Sequence, residues 1–191
     1  MGRLCFIEKA SELVREFLRY IGEDPLREGL QGTPERVIKT WEFLCKGYRE
    51  DVSSLMVTFD AEGYDQMVLL KDIELYSICE HHLLPFFGRA HVAYIPKGRV
   101  IGVSKLARIV EVFSRRLQLQ ERICSQVVGV LDKYLQPRGT ACVIEAEHLC
   151  MRMRGVEKQN SVMVTSALSG VFLEDSKCRE ELFGLIGLKG R

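Results

Sequence analysis

Residues 104–135 read SKLARIVEVFSRRLQLQERICSQVVGVLDKYL, and their periodicity decides the fold. Leu106, Ile109, Val110, Phe113 and Leu117 recur at helical spacing along one stripe, and Ile123, Val127, Val130, Leu131 and Tyr134 along a second. Pro137, Arg138 and Gly139 close this helix pair. Before it lie strand-forming runs at residues 68–70 and 90–95, punctuated by Gly63, Gly88, Pro96 and Gly98; after it come strand candidates at 141–153 and 161–172. The first 50 residues differ in texture and predict two helices. Leu13, Val14, Phe17, Leu18 and Ile21 mark the first; Asp24, Pro25 and Gly29 interrupt it. Thr33 as N-cap with Pro34 at the first helical position restarts the pattern, with Val37, Trp41 and Leu44 as the buried stripe. A helical arm over residues 1–50, then strands, a helix pair and strands over 51–191, defines an α+β chain with a mainly antiparallel sheet.

Composition narrows the function classes. The 191 residues are 47% hydrophobic and 28% charged, the balance of a globular protein. With 27 Lys and Arg against 26 Asp and Glu the net charge is +1, which argues against a nucleic-acid binder while leaving room for one local basic pocket. No run of about 18 apolar residues is present, so no membrane span is expected. The start, MGRLCFIEKASELVREF, lacks a basic segment followed by a continuous apolar one and does not read as a signal peptide. Seven cysteines form no regular disulfide framework and fit a reducing cytoplasm, as buried apolar residues, metal ligands or reactive thiols. The ending GLIGLKGR reads as a short tail.

Chemistry concentrates in two short segments. Three of the four histidines fall in Cys79-Glu80-His81-His82 and His148-Leu149-Cys150. Cys79 and His82 are spaced so that one tight turn aims sulfur and imidazole at a single point, as zinc requires, and Cys150 could add a third ligand. On the strand predicted here, His148, Cys150, Arg152 and Arg154 share a face, which is costly to bury without a partner; that partner is either an anionic ligand or, for at least one of the arginines, plain solvent. Three ligands would leave a position open for water; His148 as a fourth would close the site and make it structural. Spacing leaves both alternatives open. Ser104 reads as a helix N-cap with Lys105 and Arg108 on one side of the opening turns, which is either a phosphate site or an ordinary capped helix with solvated cations. The run 118–122 is polar enough for a surface turn, although Gln120 and Glu121 would suit the donor-rich edge of a guanine. Arg36, in the first turn of the second helix, reads by itself as a solvated arginine.

Four blocks carry a family resemblance: GEDPLREGLQGTPERV at 22–37, SICEHHLLPFFGRAHVAYIP at 77–96, VIGVSKLARIVEVFSRRLQLQER at 100–122 and EAEHLCMRMRGVEKQNSVMVTSALSGVF at 145–172. Together they resemble GTP cyclohydrolase I in order and spacing, over most of the chain. Val103 and Leu168 stand where the family often has leucine and methionine, both conservative changes. The resemblance implies the tunnelling fold, a ββααββ unit assembled as a toroidal homodecamer with sites between subunits. It implies zinc held by Cys79, His82 and Cys150 with water completing the tetrahedron, and His81 and His148 as acid/base residues. Gln120 and Glu121 would hold the guanine edge. Ser104, Lys105, Arg108 and Arg154 would face ribose and triphosphate, and Arg36 would reach a phosphate in a neighbouring subunit's site. The implied reaction is opening of the GTP imidazole ring with release of formate, giving 7,8-dihydroneopterin triphosphate. Under this resemblance Cys5, Cys45, Cys124, Cys142 and Cys178 are ordinary thiols.

Overall fold

A computed structural model describes residues 3–187 of the chain, which divides into two compact units at Lys46 and Gly47. The side chain of Cys5 and everything after Gly187 lie outside the described residues.

The first unit is a helix pair, α1 (Arg3–Tyr20) and α2 (Thr33–Leu44). Arg15 ties them, pairing with Glu12 at 3.2 Å and with Glu35 of α2 at 3.0 Å. Of the α1 stripe only Leu18 is buried; Leu13 is 70% and Phe17 59% exposed, because two helices offer one apolar stripe too little surface to bury it. Val37, Trp41 and Leu44 are likewise only half-buried. The expected cap shifts by one residue. Gly32 is the N-cap of α2, and the Thr33 hydroxyl instead accepts from the Arg36 guanidinium at 2.9 Å.

The second unit is built on a five-stranded sheet. β1 (Thr58–Asp60) pairs apart from it with β4 (Arg99–Ile101). The sheet contains β2 (Val68–Cys79), β3 (Pro85–Ile95), β5 (Leu117–Gln118), β6 (Gly139–His148) and β7 (Met163–Leu168), in the order β5-β2-β3-β6-β7. Every pairing is antiparallel except the short parallel one between β5 and β2. α3 (Val103–Ser114) and α4 (Gln120–Leu135) lie between the two strand pairs in the chain, so β2, β3, α3, α4, β6 and β7 give the ββααββ order of the tunnelling fold. The stripes read in the sequence become the core: Leu106, Ile109, Val110 and Phe113 of α3 meet Ile123, Val127 and Leu131 of α4 over Phe86, Val92 and Ile144 of the sheet. A second cluster on Ala93, Ala141 and Val143 is filled by Phe172 of α6 (Val171–Glu174) and by Leu182 and Ile186 of α7 (Ser176–Ile186). The expected tail is thus helical through Ile186, and Gly187 caps it in the left-handed conformation at φ +91°.

Three expectations fail, the first two for long-range reasons. Leu117 leaves the helix after Ser114 and pairs with Ile78 instead. The strand predicted through residue 153 stops at His148, and α5 (Leu149–Arg152) is a single helical turn. Its partner β3 begins at Pro85, and the last bridge between β3 and β6 joins Phe86 to His148. Proline has no N–H to continue a ladder, so β6 runs out of partner there. Ser104 is already inside α3, whose N-cap is Gly102 with no side-chain hydrogen bond to the first turn. Near the same end of the sheet, Gly88 lets two backbones approach closely, since a Cβ there would meet the Glu145 carbonyl oxygen at 1.9 Å.

Candidate active site

The turn from β2 to β3 builds the first half of the site. The Cys79 carbonyl accepts from the N–H groups of His82 at 3.4 Å and Leu83 at 2.9 Å, and the Cys79 N–H donates to the Leu84 carbonyl at 2.9 Å. Closing the turn so tightly puts Leu83 at φ +55°, a conformation that costs a non-glycine residue energy and is found where local geometry matters. The turn brings Cys79 Sγ to 3.8 Å from His82 Nδ1. The helical turn α5 supplies Cys150, and the three ligand atoms lie within 4.8 Å of one another. A tetrahedral ion about 2.3 Å from sulfur and about 2.0 Å from nitrogen needs donors of this kind, close together. Two sulfurs and one imidazole nitrogen therefore fit a borderline-soft metal ion. Burial pushes the Cys150 thiol up, with neighbouring Cys79 adding to the effect and Arg154 opposing it.

His148, at the end of β6, is not part of this group. Its Nε2 is 2.9 Å from Gln120 Oε1, and its ring stacks on Phe86 with centroids 4.5 Å apart and planes 4° apart. The closed alternative, with His148 as fourth ligand, therefore has no support in the geometry. His148 and Cys150 line one cavity of about 310 Å³ with Met151, Ser161, Val162 and Met163. Burial holds the His148 imidazole below the usual histidine value, and the Glu121 carboxylate partly offsets this. His81 is exposed in the turn, its ring edge-on to His82 with centroids 6.2 Å apart.

The start of α4 organises both halves. Arg122 makes a two-pronged pair with Glu80, at 2.5 and 3.0 Å, which holds the Glu80 carboxyl below the usual carboxylate range. The Glu80 N–H donates to the Gln118 carbonyl at 3.1 Å. The surface turn expected over 118–122 is not one: Gln118 and Gln120 are each 1% exposed, because β5 inserts beside β2 and α4 starts against β6 and β7. Both ends of the Gln120 amide are spent inside the protein, on His148 and on Ile144, Met163 and Thr165. Its neighbour Glu121 is exposed.

The remaining cations lie elsewhere. Arg152 is occupied by an ion pair with Glu147, and Arg154 is exposed beyond α5, so the shared strand face predicted for them does not exist. Arg108 lines a different cavity, of about 490 Å³, with Lys71, Glu74 and Tyr76 of β2 and Arg115 just after α3. Ser104 is exposed and Lys105 half-buried in the first turn of α3. Arg36, in the first unit, donates to Thr33 and to the Gly29 carbonyl. The sequence reading missed the anchoring pair of Glu80 and Arg122. A carboxylate next to a predicted ligand, with an arginine in the following polar block, was the available signal.

An α+β sheet carrying a Cys-Cys-His group that could hold a metal ion, beside a half-buried histidine, gives the layout of an enzyme scaffold of the tunnelling class. The family profile of GTP cyclohydrolase I matches residues 10–187, and the chain belongs to that family. It is 56% identical over 178 residues to GTP cyclohydrolase 1 of Chlorobaculum tepidum, covering 93% of this chain and 80% of that protein. It is 52% identical over 181 residues to GTP cyclohydrolase 1 of Campylobacter jejuni, covering 94% and 95%. A crystal structure of the archaeosine synthase QueF-Like in the apo form is similar over 55% of this chain and 93% of that one, at 18% identity and a TM-score of 0.46.

Proposed function

We propose that this enzyme opens the imidazole ring of GTP hydrolytically, releasing formate and forming 7,8-dihydroneopterin triphosphate for tetrahydrofolate or tetrahydrobiopterin synthesis. The observation that carries the reading is the convergence of Cys79, His82 and Cys150 beside the cavity that His148 lines, in a chain of this family. The two-sulfur, one-nitrogen donor set favours zinc with one position open. When bound, zinc supplies the Lewis acidity that makes water nucleophilic at neutral pH.

The protein's own groups do the rest. Guanine C8 is a poor electrophile until N7 gains a proton, and His81 and His148 are the proton carriers of the site. Burial keeps His148 neutral near pH 7, ready to accept a proton and pass it to the departing nitrogen. Glu121 takes the N–H groups of the guanine edge, as a carboxylate can accept two such bonds. Ser104, Lys105, Arg108 and Arg154 hold ribose and triphosphate by charge and hydrogen bonding, aided at α3 by first-turn N–H groups that no side chain caps. The phosphates serve as an anchor and are not transferred.

The active form in this reading is a homodecamer whose sites are shared between subunits. Arg108 and His148 line separate cavities of one chain, which supports a reading in which a second copy's α3 brings its Ser104, Lys105 and Arg108 to the metal centre. β7 also presents an open sheet edge with Met163 and Val164 exposed. Arg36, on the helical arm of residues 1–50, reaches a phosphate in a neighbouring subunit's site, while residues 51–191 form the catalytic domain. Cytoplasmic residence agrees with the free thiols among the described residues. Incubation with GTP tests the reading, following formate and oxidised pterin fluorescence together, with and without a chelator. Both products should appear in step and vanish with the chelator; neither product from metal-replete enzyme would overturn the proposal.

A further inference from the structure

We infer that Gln120 is the positioning residue that sets the tautomer of His148, fixing its proton on Nε2 and presenting Nδ1 as the working nitrogen. The inference rests on the acid/base reading of His148 above.

The chemistry of the partners establishes the direction of every bond. Gln120 Nε2 lies 3.0 Å from the carbonyl oxygens of Ile144 and Met163 and 3.0 Å from Thr165 Oγ1. Main-chain carbonyls only accept, so the end of the amide that faces two of them must be the NH2 group. The opposite orientation would set an oxygen against two oxygens in a side chain that is 1% exposed, where water cannot relieve it. The amide oxygen therefore faces His148, and it too can only accept. His148 Nε2, 2.9 Å away, must carry the hydrogen and donate it. In the neutral ring the lone pair is then on Nδ1.

Stacking on Phe86 fixes the plane of the ring, and turning the ring over within that plane would break the bond to Gln120. A proton taken from attacking water goes to Nδ1, and the same nitrogen returns it to the departing purine nitrogen. Gln120 Oε1 holds the Nε2–H throughout and favours the transiently charged ring. Gln120 thus acts through His148, and recognition of the guanine edge falls to Glu121.

The test uses the intact enzyme labelled with ¹⁵N-histidine. Only four histidines are present, and the His148 signals are assigned by their loss in His148→Asn. Solid-state NMR at pH 8 should show Nε2 protonated and Nδ1 bare. In Gln120→Met this state should give way to a mixture of tautomers. With GTP, Gln120→Met should lose at least about tenfold in kcat with KM within about threefold. A wild-type His148 protonated on Nδ1 would overturn the inference. So would a Gln120→Met tautomer unchanged from wild type, or a variant in which KM rises and kcat is intact. Wild-type enzyme with the expected tautomer and no GTP turnover would refute the reaction while leaving the tautomer assignment standing.

Discussion

His148 lies flat against Phe86, with ring planes 4° apart and centroids 4.5 Å apart, and these two residues also face each other across the last bridge between β3 and β6. One contact thus joins a buried core residue to a proposed proton carrier. Phe86→Leu keeps an apolar filler but removes the ring, so stability should fall by about 1–3 kcal/mol, and kcat should fall while metal content is unchanged. Chemical denaturation, turnover and metal analysis of one preparation check this.

Metal retention should separate the ligands from the proton carriers. Cys79→Ser and Cys150→Ser should be isolated with little bound metal, whereas His148→Ala should keep it and turn over GTP at least about a hundredfold more slowly. Elemental analysis decides. Full metal occupancy in Cys150→Ser would contradict the three-ligand centre.

The pair of Glu80 and Arg122 should tune metal affinity without touching the ion. Arg122→Met frees the turn that carries Cys79 and His82, and affinity should drop about tenfold. Competition with a chromophoric chelator measures it.

His91 should make the fold acid-sensitive. Its Nδ1 accepts from the Asp72 N–H at 3.2 Å and its Nε2 is 3.4 Å from Glu145. Burial holds the imidazole below its usual value against the pull of Asp72 and Glu145. The unfolded chain then binds a proton that the folded one lacks. The stability contribution is full above about pH 6.5 and is lost as the pH falls through 6.5 toward the lowered folded value. Melting temperatures between pH 7.5 and 5 should decline less steeply in His91→Gln than in wild type.

Shared sites should complement. Arg108→Ala and Cys150→Ser should each be nearly inactive alone, and mixed oligomers reassembled from both should regain turnover, because some sites then combine intact contributions. Mixtures no more active than either parent would argue for sites within one chain.

Local patterns carry most of the fold. Leu106, Ile109, Val110 and Phe113 are buried as their spacing requires, and the turn holding Cys79 and His82 is legible from two residue types at one interval. What escapes local reading depends on partners distant in the chain. Leu117 continues the helical stripe in register yet belongs to a two-residue strand, too short to have a period. The end of β6 is dictated by a proline on β3, and a parity argument along β6 alone cannot include it. Gln120 reads as a surface residue because it is polar. It is buried because its acceptors are 24, 43 and 45 residues further along the chain.

The six residues 117–122 reach both the metal turn and the proton carrier: Leu117 and Gln118 are zipped to the end of β2, Gln120 grips His148, and Arg122 grips Glu80. The distance from metal turn to proton carrier is therefore set twice, by the register across β2, β3 and β6 and by this short fixture. Adding or deleting a single residue between Gln118 and Arg122 would misalign them at once, even in a protein that folds and assembles normally.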